Sequence, residues 1–161
     1  NVVVSPIMDY AAIKNIKIGN NRVECAGAGD VVEMQIDGTD RTIHKGFIFG
    51  PPQEPPMFHY KFHATVNLDT CDMVIRRGML MTFYSLGGIS PCVFARIFFS
   101  GVRDVKVRPK MLKGKVEASV EIILQKPLCV DVASLTGRIG QFFLRYNKTT
   151  IGKGVITEIR A

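Results

Sequence analysis

The sequence predicts an all-β chain of two small antiparallel β-barrels, the first incomplete at its N-terminus. Three observations carry this. Apolar residues recur at period two in segment after segment. No stretch shows a sustained i, i+3, i+4, i+7 apolar stripe, so helices are nearly excluded. One proline-dense segment divides the chain into a short piece and a longer one.

The longest alternation sets Phe58, Tyr60, Phe62, Ala64, Val66 and Leu68 against His59, Lys61, His63, Thr65 and Asn67. Successive Cβ atoms of a strand point to opposite faces, so these apolar side chains share one face. Val32, Met34 and Ile36 repeat the pattern, as do Ala118, Val120, Ile122 and Leu124. Further strands are expected at Val2–Val4, Ala12–Ile18, Phe47–Phe49, Leu80–Tyr84, Cys92–Phe99, Val102–Val107, Gln141–Tyr146 and Gly154–Ile159. Each is short, β-branched or aromatic, and bounded by Gly, Pro, Asn or Asp. Many short strands with turn chemistry between them mean a sandwich or barrel. Between Gly50 and Pro56 four of seven residues are proline. Proline cannot donate to a strand ladder, so no strand crosses there. The division is therefore residues 1–52 and 57–161, and the first piece is short for a closed barrel. Either it borrows strands or its opening strands lie outside this sequence.

Hydrophobic residues are 47% of the 161 and charged residues 22%, the balance of a folded domain rather than a disordered or collagen-like one. No apolar run approaches the roughly 18 residues of a membrane helix, and the start lacks the basic and apolar regions of a signal peptide. A cytoplasmic protein with no membrane partner is expected. Cys25, Cys71, Cys92 and Cys129 are widely spaced without a CxxC, so scattered buried thiols are expected rather than a metal knuckle. The net charge is +7, from 21 basic against 14 acidic residues. Between Arg76 and Lys115 nine basic residues face the single acid Asp104. Such imbalance points to an RNA-rich neighbourhood or an acidic protein face.

No catalytic constellation is legible. GxxxxGK[ST], GxSxG and HExxH are all absent. Gly152-Lys153-Gly154 has neither the spacing nor the preceding strand of a phosphate loop. His59 and His63 share a strand face, but strand neighbours two apart are already about 6.6 Å distant. They read as solvent-facing structural residues. The aromatics mostly fall on apolar strand faces, where packing accounts for them. In Phe142-Phe143-Leu144-Arg145-Tyr146, Phe143 and Arg145 share one face while Phe142, Leu144 and Tyr146 share the other. Both faces are partly apolar, as in a strand covered on two sides by a neighbouring domain or a partner.

That last segment carries a resemblance. Gly140-Gln141-Phe142-Phe143-Leu144-Arg145-Tyr146, then Thr149-Thr150-Ile151-Gly152-Lys153-Gly154-Val155, resembles the closing strands of the third domain of elongation-factor-Tu-like translation GTPases. Arg108-Pro109-Lys110-Met111-Leu112, the strand Val116–Leu124 and Lys126-Pro127-Leu128 look like the middle of that domain. Ala28-Gly29-Asp30-Val31-Val32 and Ile43-His44-Lys45-Gly46-Phe47-Ile48 are similar to the second domain. Gly46-Phe47-Ile48-Phe49-Gly50-Pro51 and the C-terminal strand look most like the HBS-like ribosome-rescue branch, with the eukaryotic release-factor-three branch as near neighbour. Gln141 stands where the family usually has Arg.

The resemblance implies residues 1–52 as a partial second-domain barrel and 57–161 as the third-domain barrel. It implies no catalytic site here, and a GTP-hydrolysing domain, with GTP and Mg²⁺ as its cofactors, outside this sequence. The barrels would hold cargo: aminoacyl-tRNA in elongation factors, a release-factor-one-like protein in termination, Pelota in rescue. A monomer acting with the ribosome follows. The residues expected on the partner face are Phe142, Arg145 and Tyr146, with Arg108 and Lys110 nearby. A competing reading of another class is a stand-alone basic RNA-binding barrel. An enzyme is disfavoured, because no acid, base or nucleophile converges.

Overall fold

A computed structural model describes residues 1–69, 73–100 and 109–160. The predicted strand Val102–Val107, Arg108 and Cys71 lie outside the described residues. The chain is all-β and forms two compact units, Asn1–Met57 and Phe58–Ala161, with the proline segment at the end of the first.

The first unit holds β1 (Val2–Ser5), β2 (Asp9–Ile18), β3 (Asn21–Val23), β4 (Glu33–Asp37) and β5 (Ile48–Gly50). They build one five-stranded antiparallel sheet in the order β3-β2-β1-β5, with β4 also on β2. Its buried apolar residues are Val3, Val4 and Ala11. The incomplete barrel expected here takes the form of an open sheet in this unit, and the alternation of β4 does not bury its apolar face. Val32 and Ile36 are half-buried and Met34 is exposed.

In the second unit β6 (Phe58–Leu68), β8 (Met81–Ser85), β9 (Gly88–Ser100), β11 (Val116–Cys129), β12 (Gln141–Tyr146) and β13 (Thr149–Ile159) close into a barrel ordered β11-β6-β13-β12-β8-β9. The short strands β7 (Val74–Arg76) and β10 (Met111–Lys113) pair with each other beside it. A four-residue helix, α1 (Ala133–Thr136), and a 3₁₀ turn (Gly137–Gly140) lead into β12. Closure leaves no free edges on the barrel strands, which is how a small antiparallel sheet avoids unpaired backbone groups.

The two clean alternations line the barrel interior. Phe62, Ala64, Val66 and Leu68 of β6 and Ala118, Val120, Ile122 and Leu124 of β11 are all buried. Phe62, Phe83 and Phe142 meet at the centre, with Phe83 and Phe142 stacked at 4.7 Å between centroids. Tyr60 departs from the pattern and is exposed. The register of β11 against β6 jumps there, from Ile123 opposite Lys61 to Leu128 opposite His59. Where the ladder parts, the alternation no longer points into the core.

Candidate functional site

The outer face of the barrel carries a cross-strand row whose composition differs from an ordinary wet surface. Phe143 of β12 lies opposite Tyr84 of β8, and Tyr84 lies opposite Ile89 of β9. Partners opposite one another in a ladder point the same way, so these three apolar side chains form one outward row. Phe143 is 55% exposed and Ile89 57%. Beside the row a shallow cavity of about 330 Å³ is lined by Tyr84, Ser85, Leu86, Arg138, Gln141 and Phe143. Arg145 stands over the Tyr84 ring, its guanidinium carbon 5.5 Å from the centroid, a cation–π arrangement.

The expected partner residues separate when placed on this frame. Phe142 is a correction: it is 1% exposed and stacked in the core, so it faces no partner. Its neighbour Phe143 takes the outward position. Tyr146 points to the same side as Phe142 and packs partly buried against the core. Arg145 faces outward and is half-buried; its guanidinium donates to the Lys148 carbonyl across the β12–β13 turn, and its buried Nε makes no hydrogen bond among the described residues. Lys110 does not line the Phe143 cavity; it sits with Arg77 and Arg96 at another groove. Arg108 lies outside the described residues.

Parity puts Phe143 on the face opposite Phe142, and its polar neighbours hint at which face is wet. Phe143 shares its face with Gln141 and Arg145, and polar neighbours two positions away mark the wet side of a strand. Tyr84, Leu86 and Arg138 carried no local signal, because their meeting with Phe143 depends on which strands pair.

The histidines correct a second expectation. His63 is not simply solvent-facing: its Nε2 is 3.5 Å from Glu121 and its Nδ1 3.3 Å from Glu158, and its ring sits edge-on to Phe98. Glu121 is buried on this outer face and also reaches Arg96 Nε at 3.7 Å. A row of polar side chains, Arg96, Glu121, His63 and Glu158, thus crosses β9, β11, β6 and β13. Because each ring nitrogen faces a different carboxylate, the set does not converge on one ion, and no metal-holding group occurs among the described residues. Of the thiols, Cys92 and Cys129 are buried as expected, while Cys25 is exposed.

Gly152-Lys153-Gly154 does not form a phosphate loop. A phosphate loop needs successive free backbone amides between a strand and a helix. Gly152-Lys153-Gly154 lies inside β13, its backbone paired to Leu144 through Phe142 on one side and Leu68 through Val66 on the other. No helix of the described residues is long and apolar enough to cross a membrane.

Comparison with known proteins follows the same lines. The chain is 25% identical over 164 aligned residues to Protein HBS1 of Drosophila melanogaster, covering 99% of this chain and 24% of that protein. It is 24% identical to Elongation factor 1-alpha of Metallosphaera sedula, again over 99% of this chain and 38% of the relative. The fold matches solved structures of sup35 complexed with GMPPNP and with GDP, at TM-scores of 0.91 and 0.90 and 20% identity, spanning 40% of each. The chain therefore covers a quarter to two-fifths of the length of these relatives. Residues 61–157 match the family model GTP-eEF1A C-terminal domain-like. That match takes in nearly the whole closed barrel, and the chain belongs to this family, the C-terminal barrel of elongation-factor-Tu-like translation GTPases.

Proposed function

We propose that these residues are the cargo-holding portion of an HBS-like translation GTPase, and that the outward row Ile89-Tyr84-Phe143 is where a tRNA-shaped protein of the Pelota type docks. The observation that carries this is the exposure of Phe143 and Ile89 in one cross-strand row, with exposed Leu86 lining the cavity beside it. Folded domains seldom leave such a cluster in water unless a partner covers it. Arg138, Gln141 and Arg145 supply the polar rim that a protein interface needs around an apolar centre. Likeness to HBS1 along the whole chain supports the rescue branch.

On this reading the whole protein hydrolyses GTP with Mg²⁺ in a domain beyond these residues and works as a monomer, in the cytoplasm and on the ribosome. The residues here hold cargo and perform no bond chemistry. A second reading, delivery of aminoacyl-tRNA or a release-factor-one-like protein, is favoured by the nearly equal identity to Elongation factor 1-alpha.

A pull-down against Pelota, release factor one and aminoacyl-tRNA separates the readings. Phe143→Ala should weaken capture of Pelota by about tenfold or more, the size of an interface anchor, and move folding stability by less than about 0.5 kcal/mol. Phe142→Ala is the contrast: emptying a packed aromatic site should cost about 3–5 kcal/mol of stability. Unchanged Pelota capture by the folded Phe143→Ala protein would remove the row from the docking face.

A further inference from the structure

We infer that the cavity beside the outward row takes one large apolar side chain of a protein partner with a carboxylate next to it, and that Arg138 selects for that acid. This deepens the docking reading above and rests on it. Tyr84 of β8, Phe143 of β12 and Leu86 of the β8–β9 turn supply the apolar lining, and no acid lines the cavity. Its volume of about 330 Å³ is at the lower end of the roughly 300–1,000 Å³ of small-molecule sites. A shallow hollow of this size suits a side chain presented by a larger partner better than an enclosed free ligand.

The charge around the hollow has one sign. Arg138 stands on the 3₁₀ turn before β12. Lys153 of β13 lies opposite Phe143 and continues the row on the other side. Arg145 stands over Tyr84, committed to that ring and to the Lys148 carbonyl. Arg138, by contrast, is exposed and makes no hydrogen bond or ion pair among the described residues. A partner seated on the row takes this guanidinium out of water, which is costly unless an anion meets it. A carboxylate does so through two parallel hydrogen bonds. A second copy of this chain would bring the same cations to the same rim, and like charges face to face are penalised. Its net charge of +7 adds to that repulsion. An apolar centre inside a cationic rim therefore fits a segment that pairs an apolar anchor with an acid.

The test follows backbone amide resonances of the full chain as three short synthetic peptides are added. The first carries Leu-Phe flanked by glutamates, the second the same pair flanked by lysines, and the third Ser-Ser flanked by glutamates. With wild type the first should shift the amides of Leu86, Arg138 and Phe143 and bind about tenfold or more tightly than either twin. Arg138→Glu, at an exposed side chain, should reverse the order of the first two peptides. Lys17→Glu makes the same charge change in the first unit and should leave the order as in wild type. The Pelota pull-down separates this inference from the reading beneath it, because Arg138→Glu should weaken capture by about tenfold or more. Retained capture by Arg138→Glu beside lost capture by Phe143→Ala would overturn the acid and leave the docking face standing. Retained capture by both variants, with the peptide order intact, would withdraw Pelota and support the chemistry of the hollow. No amide shift with the first peptide would overturn the inference, and so would equal effects of Arg138→Glu and Lys17→Glu. Concentration-dependent shifts of the same amides without peptide would overturn it in favour of a second copy.

Discussion

At Cys92 the barrel wall removes a thiol from water, and burial pushes its pKa from 9.0 up to about 12. Cys129 moves the same way, through burial first and Asp131 second. The sign of the consequence follows from proton counting. Below pH 9 the thiol is protonated in both folded and unfolded chains and contributes no pH dependence. Between pH 9 and about 12 the unfolded chain has lost a proton that the folded one keeps, so Cys92 makes stability fall as pH rises. Urea unfolding at pH 8, 9.5 and 11 should show wild type losing stability more steeply than Cys92→Ala; parallel curves would refute it. The same scale holds the clearest lesson about legibility. Phe142 and Phe143 are adjacent, equally apolar and indistinguishable by composition. Sequence parity separates them into two faces, but both faces carry apolar residues, so which one turns inward is set by Phe62 and Phe83 waiting on other strands.

Strands were legible where the alternation was long and one face fully apolar, as in β6 and β11. Three of the strands too short to show a period were missed: β3, β7 and β10 have three residues each. β4 shows the opposite failure, an alternation without burial, because nothing in the first unit covers that face fully. Within β13 two glycines decide how closely its neighbours approach. A Cβ on Gly154 would run into the Phe142 ring and lie 2.7 Å from the Thr65 carbonyl oxygen; one on Gly152 would lie 2.5 Å from that of Asn67. Backbone on one side and a packed ring on the other cannot both yield. Gly154→Ala should therefore cost about 1–3 kcal/mol by overpacking. Denaturant unfolding checks this, and a neutral result would mean that the Phe142 ring can swing aside.

At the scale of the molecule the two units differ sharply in what they bury. The central cluster, from Phe62 to Ile156, belongs wholly to the second unit, whereas the first buries Val3, Val4 and Ala11. Small chains are marginal because they bury too little surface to offset chain entropy. Residues 58–161 expressed alone should unfold cooperatively with dispersed amide resonances, while residues 1–57 alone should show the narrow dispersion of a disordered chain. A stable, dispersed 1–57 fragment would overturn this division of stability.

The all-β class, the longer strands, the proline divider and the absence of a nucleotide-binding motif were determined by local sequence alone, since each rests on period, turn chemistry or a contiguous motif. The outward row Ile89-Tyr84-Phe143 and the polar row through His63 were decided only by tertiary structure. Each joins residues from three or more strands, and which strands become neighbours is settled by closure of the barrel around a shared core. A period within one segment carries no record of that closure.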